Sequence, residues 1–297
     1  MQLTKILQQI IIPALLLIAP LIVNADTPAK TTWMYSFSSL DNTSTINQLV
    51  ELEINRVYLA VSAKKLLPNG EDASLYYTHK LEDFIALATA ENIEIHAMTL
   101  MDNTFFLRER HARSAEMVTW LIDYQANALI DEQFSGIHID TEPHSLTEWK
   151  SAKKLGDWET VEILMQQYVE LIAILEPIIH LGDSSLEFSA ALQWKYNEWA
   201  EQGLLPSGDA ELLGEYLDHL VPMVYATDSL SRIQRRAEDE MSKAPTVIGI
   251  DAKSFNSYAE IIQAQQILDE QNRDNANYQG VSIYSFSTLY QKYLNEL

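Results

Sequence analysis

Short runs crowded with apolar and β-branched residues alternate along this chain with longer stretches whose apolar positions recur every three or four. The first kind reads as strands buried on both faces, the second as amphipathic helices. Eight strand-like runs stand out: Trp33–Phe37, Arg56–Val61, Ile93–Leu100, Ser135–Glu142, Leu186–Leu192, His219–Ala226, Thr246–Asp251 and Gly280–Phe286. Helical spacing is plainest at Leu81–Ala90, Ala115–Ile130, Val161–Ile179 and Tyr258–Leu268. Strands alternating with helices predict a parallel sheet, and eight such repeats in 297 residues predict a single (β/α)8 TIM barrel. An open doubly wound sheet is the competing arrangement, but the Gly-rich turn it needs does not follow Trp33–Phe37. The connections differ in length, and the long one at Ser62–Lys80 carries a turn signal in Pro68-Asn69-Gly70.

The pattern changes before residue 26. Lys5 precedes an almost wholly apolar run from Ile10 to Val23, and Val23-Asn24-Ala25 puts small residues where a signal peptidase reads them. Residues 1–25 are therefore expected to be an export signal and residues 26–297 the barrel, with no integral membrane segment after cleavage. An uncleaved N-terminal anchor is the alternative. Export without any cysteine fits a bacterial periplasmic or secreted protein, and it excludes disulfides, thiolate catalysis and zinc–thiolate sites. A formal charge of −22 keeps the chain soluble and predicts repulsion from nucleic acid and anionic membranes.

The fourth run holds the chemistry. Read at strand period, Gly136, His138, Asp140 and Glu142 share one face, where a buried strand would normally be apolar. An imidazole and two carboxylates there are costly unless paired, hydrated or used. In a barrel this face lines the interior, with Glu142 nearest the C-terminal mouth. There a neighbouring acid and partial burial are expected to raise its pKa, as a general acid requires. Asp140 lies two residues deeper, within reach of a shared proton, and His138 is placed to hydrogen-bond Asp140 and hold it ionised.

These residues resemble the fourth-strand motif of glycoside hydrolase family 18, the chitinases and endo-N-acetylglucosaminidases, which ends in Asp-Gly-x-Asp-x-Asp-x-Glu. This chain keeps Gly136, Asp140 and Glu142 and carries Ser135 and His138 in place of the other two aspartates. Met223 and Tyr225 match the Met-x-Tyr-Asp of the family's sixth strand, with Ala226 in place of the aspartate and Asp228 two positions on. Tyr284 stands where a tryptophan usually floors the sugar site, and His96-Ala97-Met98-Thr99 replaces Ser-x-Gly-Gly on the third strand. The resemblance implies an oligo- or polysaccharide substrate and a substrate-assisted mechanism with no cofactor and no metal. In it Glu142 is the acid/base, Asp140 orients the substrate's 2-acetamido group, and Tyr225 donates a hydrogen bond to that group. Between the seventh and eighth strands there is room for a helix only, which implies an open, shallow cleft.

Further substrate contacts are expected from His138, Met223 and Tyr284, from Tyr35 on the first strand, and from Gln193 and Trp194 after the fifth. Asp228 and Asp251, at the ends of the sixth and seventh strands, complete the set. Trp149, Trp158, Tyr196 and Trp199 also fall after strands, where aromatic rings can stack on sugars or pack on the barrel rim. Arg232, Arg235 and Arg236 read as an exposed helix face balancing Glu238, Asp239 and Glu240. Two rival functions stay open. One is a glycan-binding barrel with a decayed site. The other is a metal-dependent hydrolase using His138, Asp140, Glu142 and His144, disfavoured because residues on one strand run down the barrel rather than converge.

Overall fold

The computed structural model of the chain describes residues 28–66, 74–225 and 227–297. The expected leader at 1–25, the Pro68-Asn69-Gly70 turn and Ala226 lie outside them. Eight parallel strands pair in chain order and close into a barrel. They are β1 (Ala29–Met34), β2 (Arg56–Ala60), β3 (Glu94–Thr99), β4 (Gly136–Ile139), β5 (Glu187–Gln193), β6 (His219–Met223), β7 (Thr246–Asp251) and β8 (Tyr278–Tyr284). The ring closes where Ala29 pairs with Gly280 and Thr31 with Ser282. Gly280 sits at φ +123°, and a Cβ there would run into the backbone of Ala29, so this closing step requires glycine.

The structure shifts several strand boundaries by a few residues, the sixth strand ending at Met223 and the eighth running Tyr278–Tyr284, and those of the first and fourth strands bear on the site. The first strand starts at Ala29, not Trp33, and Phe37 turns into a short 3-10 helix against the core. Lys30, Thr31 and Thr32 look like loop residues in the sequence, yet all three are buried. Lys30 Nζ reaches Glu53 at 3.6 Å, and the Thr32 hydroxyl donates to the Ile283 carbonyl at 2.8 Å. The fourth strand ends at Ile139, three residues short of Glu142. Asp140 N–H still donates to Thr99 O at 3.2 Å, and the Thr141 hydroxyl donates to the carbonyl of Leu100. Side-chain anchoring thus continues the extended path that the backbone ladder leaves off.

Two apolar layers hold the fold. Trp33, Tyr58, Ala60, Met98, Val221 and Val247 pack inside the ring, with Tyr284 against them. The opposite strand faces, with Leu59, Ile137, Phe188, Ile248 and Val281 among them, pack outward onto the helices. Trp158–Gly182 is long and apolar enough to cross a membrane by length and composition, but Leu164, Tyr168, Leu171 and Leu175 on it are buried in the outer layer. Between β7 and β8 the described chain contains a 3-10 turn and one helix, Tyr258–Asn272, so the C-terminal mouth of the barrel stays low on that side.

Candidate active site

Asp140 and Glu142 leave the C-terminal end of β4, the end at which catalytic groups of such barrels collect. Asp140 is buried, and its Oδ2 accepts a 2.9 Å hydrogen bond from the Tyr35 hydroxyl. Burial first and the charge of Glu142 second raise the Asp140 pKa to about 7, while the Tyr35 bond pulls the other way. Asp140 thus carries a raised pKa of its own. Burial, reinforced by Asp140, lifts the Tyr35 hydroxyl well above its ordinary value and keeps it a donor.

Glu142 is more open, with 30% of its side chain exposed. Ser145 Oγ donates to its Oε2 at 2.6 Å, and His144 Nε2 lies 3.5 Å from the same oxygen. His144 is fixed in turn by buried Tyr196. The Tyr196 hydroxyl accepts from the His144 backbone N–H at 3.2 Å and lies 3.1 Å from Nδ1. In the tautomer in which the Tyr196 hydroxyl donates to Nδ1, Nε2–H faces Glu142. Burial lowers the His144 pKa, against the opposing pull of Glu142, so the ring is a neutral donor near pH 7.

Aromatic rings surround the acids. Tyr225 and Tyr284 lie 5.3 Å apart between centroids, Tyr35 is 5.8 Å from Tyr284, and Trp33 supports Tyr225 and Tyr284 from below at 6.4 and 6.0 Å. Tyr35, Tyr225 and Tyr284 keep partial exposure and so present faces to the mouth. A cleft of about 720 Å³ opens beside Tyr35 toward the ends of β2 and β3, with Ala60, Thr99, Met101 and Asp102 on its walls. A second, of about 410 Å³, lies on the other side of the acids, lined by His144, Lys150, Lys153, Lys154 and Gln193.

The remaining expectations divide. His138 does not reach Asp140. It lies deep in the ring, stacked on Tyr58 at 3.8 Å with Nδ1 2.9 Å from Ser189 Oγ, and burial lowers its pKa to about 3. Asp140 is held by Tyr35 instead, and a metal set of His138, Asp140, Glu142 and His144 has no common point. Met223 is buried, paired in register with Gln193 and Gly249. Gln193 faces the second cleft, and Trp194 is capped by the Arg236 guanidinium 4.3 Å from its ring. Asp228 is exposed, whereas Asp251 accepts from Lys253 N–H to start a turn. Trp149, Tyr196 and Trp199 are buried and Trp158 packs on Trp199, so these rings brace the rim. Arg236 is no surface balance of charge: besides covering Trp194 it donates to the Tyr225 carbonyl at 3.3 Å. The Tyr35, His144–Tyr196 and Arg236 contacts join separate elements, whereas Ser145 reaches Glu142 within a single turn, and only the position of Tyr35 on a strand hinted at any of them.

No protein-family model and no curated protein matches the chain in sequence. Solved structures resemble it in fold. An exo-β-1,4-mannosidase from Opitutaceae bacterium strain TAV5 superposes with a TM-score of 0.60 at 9% identity over 87% of this chain, which spans about half (51%) of that protein. A chitinase from Chromobacterium violaceum ATCC 12472 matches with a TM-score of 0.54 at 11% identity, over 90% of this chain and 98% of its own. The PgaB (BpsB) glycoside hydrolase domain from Bordetella bronchiseptica gives 0.53 at 11%, over 91% and 97%. At these identities the likeness shows the barrel fold.

Proposed function

We propose that the protein is an exported glycoside hydrolase that cleaves a β-linkage next to an N-acetylated amino sugar. The observation that carries this reading is the pairing of buried Asp140 with more open Glu142 at the C-terminal mouth, ringed by Tyr35, Tyr225 and Tyr284. Barrel neighbours described as a chitinase and a glycoside hydrolase domain support it, as does the kept spacing of Gly136, Asp140 and Glu142. In this mechanism Glu142 gives its proton to the glycosidic oxygen while the acetamido oxygen of the substrate attacks the anomeric carbon. The C–O bond to the leaving sugar breaks, and an oxazolinium ring forms within the substrate. Asp140 accepts a hydrogen bond from the acetamido N–H, and Tyr225 donates to its oxygen. Water then opens the ring, with Glu142 taking its proton. Export rests on the signal-like pattern of residues 1–25.

The test is mass spectrometry of defined oligosaccharides after incubation with wild type and Glu142→Gln. Chitin oligomers, peptidoglycan fragments, N-glycans and sugars lacking the acetamido group make up the panel. The expected outcome is cleavage of an N-acetylated member, falling by roughly 10²–10⁴-fold in the variant while binding persists. Equal turnover in Glu142→Gln, or cleavage confined to sugars without the acetamido group, would overturn the assignment.

A further inference from the structure

The base of the barrel, opposite the acids, holds a second cluster of functional groups. Glu187 and His219 begin β5 and β6, and His96 lies on β3. Glu187 Oε2 is 3.4 Å from His219 Nδ1 and 3.9 Å from His96 Nε2, and the three potential ligand atoms all lie within 4.8 Å of one another. His96 is completely buried, yet among the described residues neither ring nitrogen has a hydrogen-bond partner. A buried imidazole left without a partner is costly. Gly136 makes room for it, since a Cβ there would stand 2.5 Å from His96 Nδ1.

We propose that His96, Glu187 and His219 bind a divalent transition-metal ion of the zinc class, clamping β3, β5 and β6 together at the base. Two imidazole nitrogens and a carboxylate oxygen are a donor set such ions take. With bonds near 2.1 Å, ligand atoms around a tetrahedral ion sit ~3.4 Å apart, so the His219–Glu187 spacing already fits, while His96 needs to close on Glu187 from 3.9 Å and on His219 from no more than 4.8 Å. The outer partner is also in place. Tyr58 OH lies 3.1 Å from His219 Nε2, and an Nε2–H donated to it leaves Nδ1 bare toward Glu187.

Among the described residues Arg56 is the one cation close by, and it is shared. It binds Glu94 at 2.7 Å and Glu187 at 3.2 Å, so one guanidinium faces two carboxylates and a negative charge is left over. Glu187, with 41% of its side chain exposed, gives the ion its entry.

The test uses the whole protein, stripped with chelator and titrated with Zn2+ and separately with Co2+. One tightly bound equivalent of Zn2+, a saturable rise in melting temperature, and the visible bands of a low-coordinate Co2+ site are expected. Glu187→Gln and His96→Gln should each weaken Zn2+ binding at least tenfold, and Glu142→Gln should leave it intact. Wild type that binds no stoichiometric Zn2+ and shows no Co2+ bands overturns the proposal. So does an equivalent that survives both base variants but is lost in Glu142→Gln.

Discussion

Asp140 carries a buried carboxyl whose pKa stands at about 7, raised first by burial and then by the charge of Glu142. An unfolded aspartate releases its proton near pH ~3.9. Between those two values the folded protein binds more protons than the unfolded chain, so stability falls as pH rises through that window and levels off above about 7. Asp140→Asn removes the titrating group while keeping an acceptor for Tyr35. Its melting temperature relative to wild type should therefore improve from pH 4 to pH 8, the difference corresponding to at most a few kcal/mol. A gain that is the same at every pH would refute the burial account. Both acids were legible in the sequence, because carboxylates in an otherwise apolar run stand out. Their partners were not: Tyr35 is 105 residues from Asp140, and Tyr196 lies 52 from His144. Nothing local to β4 marks Tyr35 or Tyr196.

At the level of elements, alternation of apolar runs and helical spacing was enough to give eight strands and their order. It misplaced ends where side chains substitute for the usual signal. Buried Lys30, Thr31 and Thr32 hid the start of β1, and the Thr141 anchor carried β4's direction past its last ladder residue. The aromatics after β4 and β5 fell on the packing side of their ambiguity, because Trp149, Tyr196 and Trp199 mesh with one another. Ring closure makes a sharp prediction. Gly280→Ala places a methyl into the Ala29 backbone at a positive φ, so β8 must shift off β1. The variant should lose on the order of 2 kcal/mol or more, read as the midpoint of urea unfolding. Wild-type stability in Gly280→Ala would mean that this junction is looser than its geometry. The base cluster escaped the sequence for a related reason: His96, Glu187 and His219 sit on three strands, and only the register between them brings them together.

The whole molecule carries 42 acidic against 20 basic residues. Most of that charge is exposed, and its self-repulsion weakens the compact state until salt screens it. Raising NaCl from about 20 to about 500 mM, which shortens the screening length several-fold, should raise the melting temperature by a few degrees. A flat or falling curve would show that local ion pairs, such as Arg56 with Glu94 and Glu187, outweigh the net repulsion. Midway along the barrel, Trp33, Tyr58 and His138 fill the interior, Tyr58 stacked on His138 at 3.8 Å and tilted against Trp33 at 5.4 Å. That layer is a bulkhead. On the functions proposed for the two ends, groups above it meet the ligand and groups below it hold the staves, so what the protein acts on and how much heat it withstands would be written at opposite ends. Either end can be rewritten, by drift or by an engineer, with the other left as it stands.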